Sequence, residues 1–274
     1  MEIYFASDKK IAETSSKGNQ GKWYDSDTKR WYKLDQFGYE ALSECAVSAF
    51  LELSNIETDT PFTFVRYDME RLNVHKRKRI GCSSLNFLKE GQSIITISHL
   101  LNRVLDAPLK EKLSALSSDK KRIAYLAEAT AEHTGLEHFP EYLTLMFEID
   151  SLFLNDDRHL NNMAVIEENG CYSYCPIFDN GAALLSNVQL SQMDIMPKAL
   201  ISVLKARPFN TSFTRQMNSA RELFGAQLNI PKLTKAHIKE IIAPMLEYYS
   251  ERDRGIIADR AAACIMSRQK YFHH

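Results

Sequence analysis

The chain has no apolar run that approaches the roughly 20 residues a membrane-spanning helix needs, so no integral membrane association is expected. It also lacks an excess of charge of either sign. Its 34 Lys and Arg against 35 Asp and Glu leave a formal net charge of −1, without the global footprint of a protein that binds nucleic acid or an anionic membrane. Any recognition of phosphate must therefore be local. Cysteine is sparse and odd in number: Cys45, Cys82, Cys171, Cys175 and Cys264 are scattered along the chain, which fits reduced thiols better than a disulfide framework. Cys171 and Cys175 share one face of a β-prone run. No second Cys or His pair at zinc-site spacing accompanies them, so both are expected to be small buried hydrophobes. Repeats, low-complexity tracts and a Pro-rich linker are absent as well. Residues 1–8 lack a basic start followed by an apolar stretch, so a cytoplasmic protein without a cleavable signal is expected.

What is present is ordinary globular material, 45% hydrophobic and 25% charged over 274 residues, enough for one large or two small lobes. The texture changes along the chain. Up to about residue 90 it alternates short β-prone segments with turns, at residues 3–5, 14–24, 30–33, 61–67 and 78–82. One helix interrupts them, residues 39–54, with Leu42, Cys45, Ala46, Ala49, Phe50 and Leu53 on one side. From about Ile94 the pattern is helical: 98–105, 110–116, 120–133, 141–154, 212–228 and 234–270, the last with Thr234 as its cap. The basic run His75 to Arg79 lies between two strands, which favours a solvated hairpin tip over a phosphate-binding or import segment. This order predicts an α+β fold with a strand-rich N-lobe (1–90), a helical C-lobe (91–274), and a site between them.

That site centres on Asn155-Asp156-Asp157-Arg158-His159-Leu160-Asn161-Asn162 and on Asp179 in Ile177-Phe178-Asp179-Asn180-Gly181. Between them an apolar run, Glu167-Glu168-Asn169-Gly170 and a second β-prone run read as a hairpin, because Asn-Gly between β-rich runs is a strong two-residue turn signal. Its register would set Asn162 opposite Ile177, with Asp179 two residues beyond on the same face and roughly 7–8 Å away diagonally. A carboxylate and an amide oxygen so placed suit Mg²⁺, which takes oxygen ligands together with substrate phosphates.

An Asp, an Asn five residues later, then a hairpin leading to an Asp before Gly is an arrangement used for phosphoryl transfer. The Asp157-x-His159-x-x-Asn162 core resembles the catalytic loop of HipA-like serine/threonine kinases, including their short, CtkA-like stand-alone members. Asp157-Arg158-His159 is also similar to the loop of phosphatidylinositol kinases. The resemblance implies a protein-kinase-like bilobal fold and transfer from ATP to a protein serine or threonine. A lipid or other small-molecule kinase is the alternative, and a non-catalytic pseudokinase module a second. It further implies Asp157 as the catalytic Asp with His159 beside it, and Asn162 and Asp179 as Mg²⁺ ligands. In Gly81-Cys82-Ser83-Ser84-Leu85-Asn86-Phe87, the Gly-Cys-x-Ser-x-Asn-Phe pattern is similar to the short kinases and covers the region where adenine would dock.

Kinases of this kind hold a strand Lys toward ATP with a helix Glu. The resemblance matches Glu44 to that Glu, with Glu40 as fallback, and Lys33 to the Lys. Gly18 and Gly21, with Ser16 just before them, would let backbone N–H groups approach phosphate. Read without that context, Lys33 is more readily a surface lysine and the glycines more readily a plain surface turn. The spacing is not that of a Walker loop. Phosphorylation of Ser15 or Ser16 by the protein itself is a mode the resemblance implies. An antitoxin-like partner is the one partner it would add, although with so short an N-terminal region full-length HipA's extra subdomain is not expected.

Overall fold

The computed structural model describes residues 3–4 and 21–273. In chain order these form β1 (Ile3–Tyr4), β2 (Lys22–Asp25), β3 (Arg30–Leu34), α1 (Glu40–Leu51), α2 (Ile56–Asp59), β4 (Asp68–Val74), β5 (Arg77–Leu85) and β6 (Ser93–Thr96). There follow α3 (Ile97–Val104), α4 (Leu109–Ala115), α5 (Asp119–Thr134), α6 (Phe139–Phe153), β7 (Ala164–Glu168), β8 (Cys171–Tyr174), α7 (Pro197–Val203), α8 (Phe213–Phe224), α9 (Lys235–Leu246) and α10 (Glu251–Arg268). The first five strands make one sheet in the order β1-β4-β5-β3-β2, with β1 parallel to β4 and the other neighbours antiparallel. A second, antiparallel sheet has the order β6-β7-β8. Strands concentrate early and helices late, the α+β order the sequence predicts. No helix among the described residues is long and apolar enough to cross a membrane.

Helix α6 is the axis of the main core. Every residue from Tyr142 to Phe153 is buried, the pattern of a helix packed on all sides. Helix α1 joins the same core, and the rings of Phe50 and Phe153 stack at 5.7 Å. It is shorter than predicted: it ends at Leu51, and Leu53 is exposed rather than on the apolar side. Thr234 caps α9 by accepting from the His237 N–H at 3.1 Å. The predicted 234–270 helix is two, because the Ser250 side chain accepts from the Asp253 N–H and starts α10 afresh. Sequence periodicity did not indicate β6 or α7. Cys171 is exposed, so only the other four cysteines are buried small hydrophobes.

Two turns follow from backbone chemistry. His75 and Lys76 have φ of 50° and 62°, Asn169 and Gly170 have 52° and 82°, and two consecutive left-handed residues make the tight turn that matches strand twist. The basic run is thus an exposed tip between β4 and β5. The second turn sets Glu168 opposite Cys171 and Val165 opposite Tyr174. Carried further, that register would reach Asn162 and Ile177, but the ladder stops first. Pro176 has no N–H to give, and Ile177 changes partner: it donates to the Thr63 carbonyl at 2.8 Å and accepts from the Val65 N–H at 2.9 Å. Residues 61–67, expected to be a strand, make only this parallel bridge at Phe64.

Asp35 ties the large sheet to the C-terminal helices. Its Oδ1 accepts from the Ala41 N–H at 2.6 Å and its Oδ2 from the Tyr249 hydroxyl at 2.7 Å. Burial raises the carboxyl from 3.8 to about 7, more than these hydrogen bonds lower it. A carboxyl raised on folding contributes most below its unfolded value, and that contribution is lost as pH rises through the folded one. Asp35→Asn keeps an acceptor for Ala41 and a polar partner for Tyr249 without the charge. Its melting temperature relative to wild type should therefore climb between the unfolded value of 3.8 and the folded value of about 7, and a difference that stays constant across this window would remove Asp35 as the titrating group.

Candidate active site

Strand β3 presents Lys33 to two acids that lie far apart in the chain. Its Nζ donates to Glu44 Oε1 at 2.5 Å and to Asp179 Oδ1 at 2.7 Å. Tyr67 covers the ammonium with its ring, 5.4 Å from Nζ to centroid. Gly81 lets β5 approach at this point, since a Cβ there would lie 2.3 Å from the Lys33 carbonyl oxygen. Of the two glutamates on α1, Glu44 is the partner. Glu40 is spent on the helix start, its oxygens accepting from the Phe37 and Gly38 N–H groups at 2.7 and 3.0 Å.

Helix α1 also fixes the segment that carries Asp179. Glu44 Oε2 accepts from the Asn180 N–H at 2.8 Å, and the Ser43 hydroxyl donates to the carbonyls of Asn180 and Ala183 at 2.9 and 3.0 Å. Next to it Gly38 pairs with Asn187, with no room for a side chain: a Cβ on Gly38 would meet the Ser186 carbonyl at 2.0 Å. Asp179 has φ of 64°, a left-handed conformation that Asp tolerates better than most residues.

The loop after α6 begins at Leu154, a left-handed cap with φ of 58°. Arg158 organises it from inside. Its guanidinium is buried with Asp150, Nε to Oδ2 at 3.1 Å. Its other nitrogens donate to the carbonyls of Phe178 (2.6 Å) and Asn162 (3.1 Å) and to Asn180 Oδ1 (2.7 Å). One side chain thus joins α6, the 155–162 loop and the Asp179 segment. Asn155 helps, donating to Asp150 Oδ1 at 2.9 Å.

Around this frame the remaining site residues fall as follows. Asp157 faces solvent, with His159 Nε2 at 3.9 Å from its Oδ1. Partial burial raises the Asp157 carboxyl and the Asp179 charge adds to this, while His159 pulls it down. Asp156 is raised to about 6 by burial and by the Asp157 charge. Asn162 Nδ2 donates to the Asp157 carbonyl at 2.9 Å. Burial opposes ionisation of Asp179, but Lys33 beside it outweighs burial and holds the carboxyl at about 2. Gly21 sits against the end of β3, its carbonyl accepting from the Leu34 N–H at 3.0 Å. Ser15, Ser16 and Gly18 lie outside the described residues.

Three residues escaped the sequence reading. Arg158 entered only as part of a motif, and nothing in a loop arginine signals burial. Lys22 lies directly across from Lys33 in the β2–β3 ladder. Burial lowers its amine, with Asp179 acting against this and the Lys33 charge reinforcing it. Arg207 lines a cavity of about 400 Å³ together with Asp157, His159, Leu160 and Pro208.

No protein-family model matches the chain, and a search of curated proteins finds no match. Among solved structures it is similar to the Helicobacter pylori proinflammatory kinase CtkA, with a TM-score of 0.63 and 14% identity over 94% of this chain and 89% of that one. It is also similar to the Shewanella oneidensis MR-1 toxin–antitoxin system HipA, HipB and its operator DNA complex, with a TM-score of 0.50 and 12% identity. That match covers 93% of this chain but only 64% of the other. The fold is that of the CtkA and HipA kinases. In this kinase-like fold Arg158 and Asp150 form a pair with 1% of each side chain exposed. Removing one member of such a pair strands the other charge and typically costs about 3–5 kcal/mol. Arg158→Ala should lose stability on that scale in denaturant titrations, and Arg158→Met with Asp150→Leu should recover much of it. A single variant as stable as wild type would contradict the role given to Arg158.

Proposed function

We propose that this protein is an ATP-dependent kinase that transfers the γ-phosphoryl group to a hydroxyl, with a protein serine or threonine as acceptor. The observation that carries the proposal is Lys33 held between Glu44 at 2.5 Å and Asp179 at 2.7 Å. A strand lysine, a helix glutamate and an aspartate before a glycine, converging next to a loop with Asp157 and Asn162, are the parts that phosphoryl transfer requires. Residues 1–90 and 91–274 are then the two lobes, with the nucleotide between them.

In this reading Lys33 contacts the nucleotide phosphates and Glu44 keeps it aimed at them. Ser16, Gly18 and Gly21 are proposed as phosphate-contacting residues, of which Gly21 alone lies among the described residues. Asp157 orients the acceptor hydroxyl and accepts its proton, and His159 supports that carboxylate. Asn162 and Asp179 would hold Mg²⁺. The donor set fits the ion: Asp179 is ionised well below neutral pH, and the Asn162 amide offers an oxygen to a hard cation that prefers oxygen ligands. When bound, Mg²⁺ neutralises charge developing on the β- and γ-phosphates.

Asp157→Asn should cut turnover by roughly the 10²–10⁴-fold that a positioned base supplies. Unaltered turnover in a variant that melts like wild type would shift the role to Asp156 or another group. Calorimetry tests the metal assignment separately: Asp179→Asn should abolish Mg²⁺-dependent ATP binding, whereas Lys33→Ala should weaken it and leave a residue. Wild-type MgATP affinity in Asp179→Asn would overturn the assignment.

A further inference from the structure

Past Asp157 the surface continues as a trough. The cavity lined by Asp157 and Arg207 adjoins a second of about 440 Å³, and the two share Leu160 and Pro208. Leu109, Leu113 and Phe209 supply the second cavity with apolar lining, Lys110 and Arg122 are its cations, and no Asp or Glu among the described residues lines it. Arg122 is already committed, to Asp119 at 2.9 Å and to the Leu113 carbonyl at 3.0 Å. Lys110 is exposed at the far end.

Arg207 is exposed but rigidly mounted. Its loop is closed by two backbone hydrogen bonds between Ala206 and Thr211, at 2.7 and 3.3 Å. Its carbonyl accepts from Gln216 Nε2 at 2.7 Å, and Gln216 is itself buried on α8. The guanidinium is close enough for its charge to act on both Asp156 and Asp157. Among the described residues Asp157 is the acid that lines this end of the trough, and Arg207 sets a cation beside it that can meet an anionic acceptor.

We propose that this trough is the acceptor-binding groove and that it selects a polypeptide with an acidic side chain flanking the acceptor hydroxyl. Arg207 pairs with that carboxylate, and an apolar side chain a few residues away seats on Leu109, Leu113 and Phe209. The inference rests on the kinase reading and adds a substrate class to it. A polypeptide suits the trough better than a polyphosphorylated headgroup, because Leu109, Leu113, Leu160, Pro208 and Phe209 give it an apolar seat and, of its cations, Arg122 is already paired with Asp119. Charge placed this way sets specificity by attraction to one partner and repulsion of another.

The test uses fluorescent peptides with one serine, one leucine and either glutamates or lysines beside the serine, titrated onto the wild-type protein without nucleotide. The acidic peptide should bind about five- to tenfold more tightly than the basic one, the scale of one or two exposed ion pairs. Arg207→Glu, with its melting temperature checked, should invert the order, and KM values for the same peptides should follow. Equal binding of the two peptides, or a preference that survives Arg207→Glu, overturns the groove assignment. So does Arg207-dependent binding of phosphoinositide vesicles in place of either peptide. Because binding is read without ATP, a protein that phosphorylates neither peptide tells against the kinase reading while the peptide order still decides the groove.

Discussion

A guanidinium withdrawn from water needs hydrogen-bond acceptors and a balancing charge, and each nitrogen of Arg158 finds an acceptor among groups from three separate pieces of chain. Asp150 comes from α6, the Asn162 carbonyl from the loop that follows, and the Phe178 carbonyl and Asn180 side chain from the segment bearing Asp179. The site cannot loosen in one place without stranding a buried charge in another. This explains how two irregular segments, which have no sheet or helix ladder of their own, are held in a single arrangement.

From the other side, α1 performs the same service. Ser43 and Glu44 bind the backbone just after Asp179, and the second oxygen of Glu44 takes the Lys33 ammonium. The large sheet, the α6 core and the Asp179 segment therefore meet in one hydrogen-bonded chain from Lys33 through Glu44 and Asn180 to Arg158 and Asp150. Such a chain places charged groups before any ligand arrives, which is what electrostatic stabilisation of a transferring phosphoryl group requires.

Much of this was legible in the sequence where local chemistry dictates structure. The Asn169-Gly170 turn, the Thr234 cap, the helical run with Glu44 and the order of Asp157, Asn162 and Asp179 all follow from short-range rules. What was hidden is non-local. Ile177 abandons its hairpin for Thr63 and Val65, and β6 pairs with β7 across some seventy intervening positions; neither choice leaves a periodic mark. Arg158 and Arg207 look alike in sequence, yet one is buried and the other exposed. Only the tertiary partners separate them. Cys171 faces solvent for a related reason, because the side of a short strand that becomes buried depends on what packs over it.

The central claim is that these groups form one centre for phosphoryl transfer to protein. Its most direct test is to incubate the wild-type protein with Mg²⁺ and ATP labelled in the γ-phosphate, offering the protein alone, a generic serine- and threonine-bearing protein and phosphoinositide vesicles. The account predicts acid-stable label on serine or threonine of protein. Label confined to lipid, or no transfer to any acceptor by a protein that binds MgATP, would contradict it.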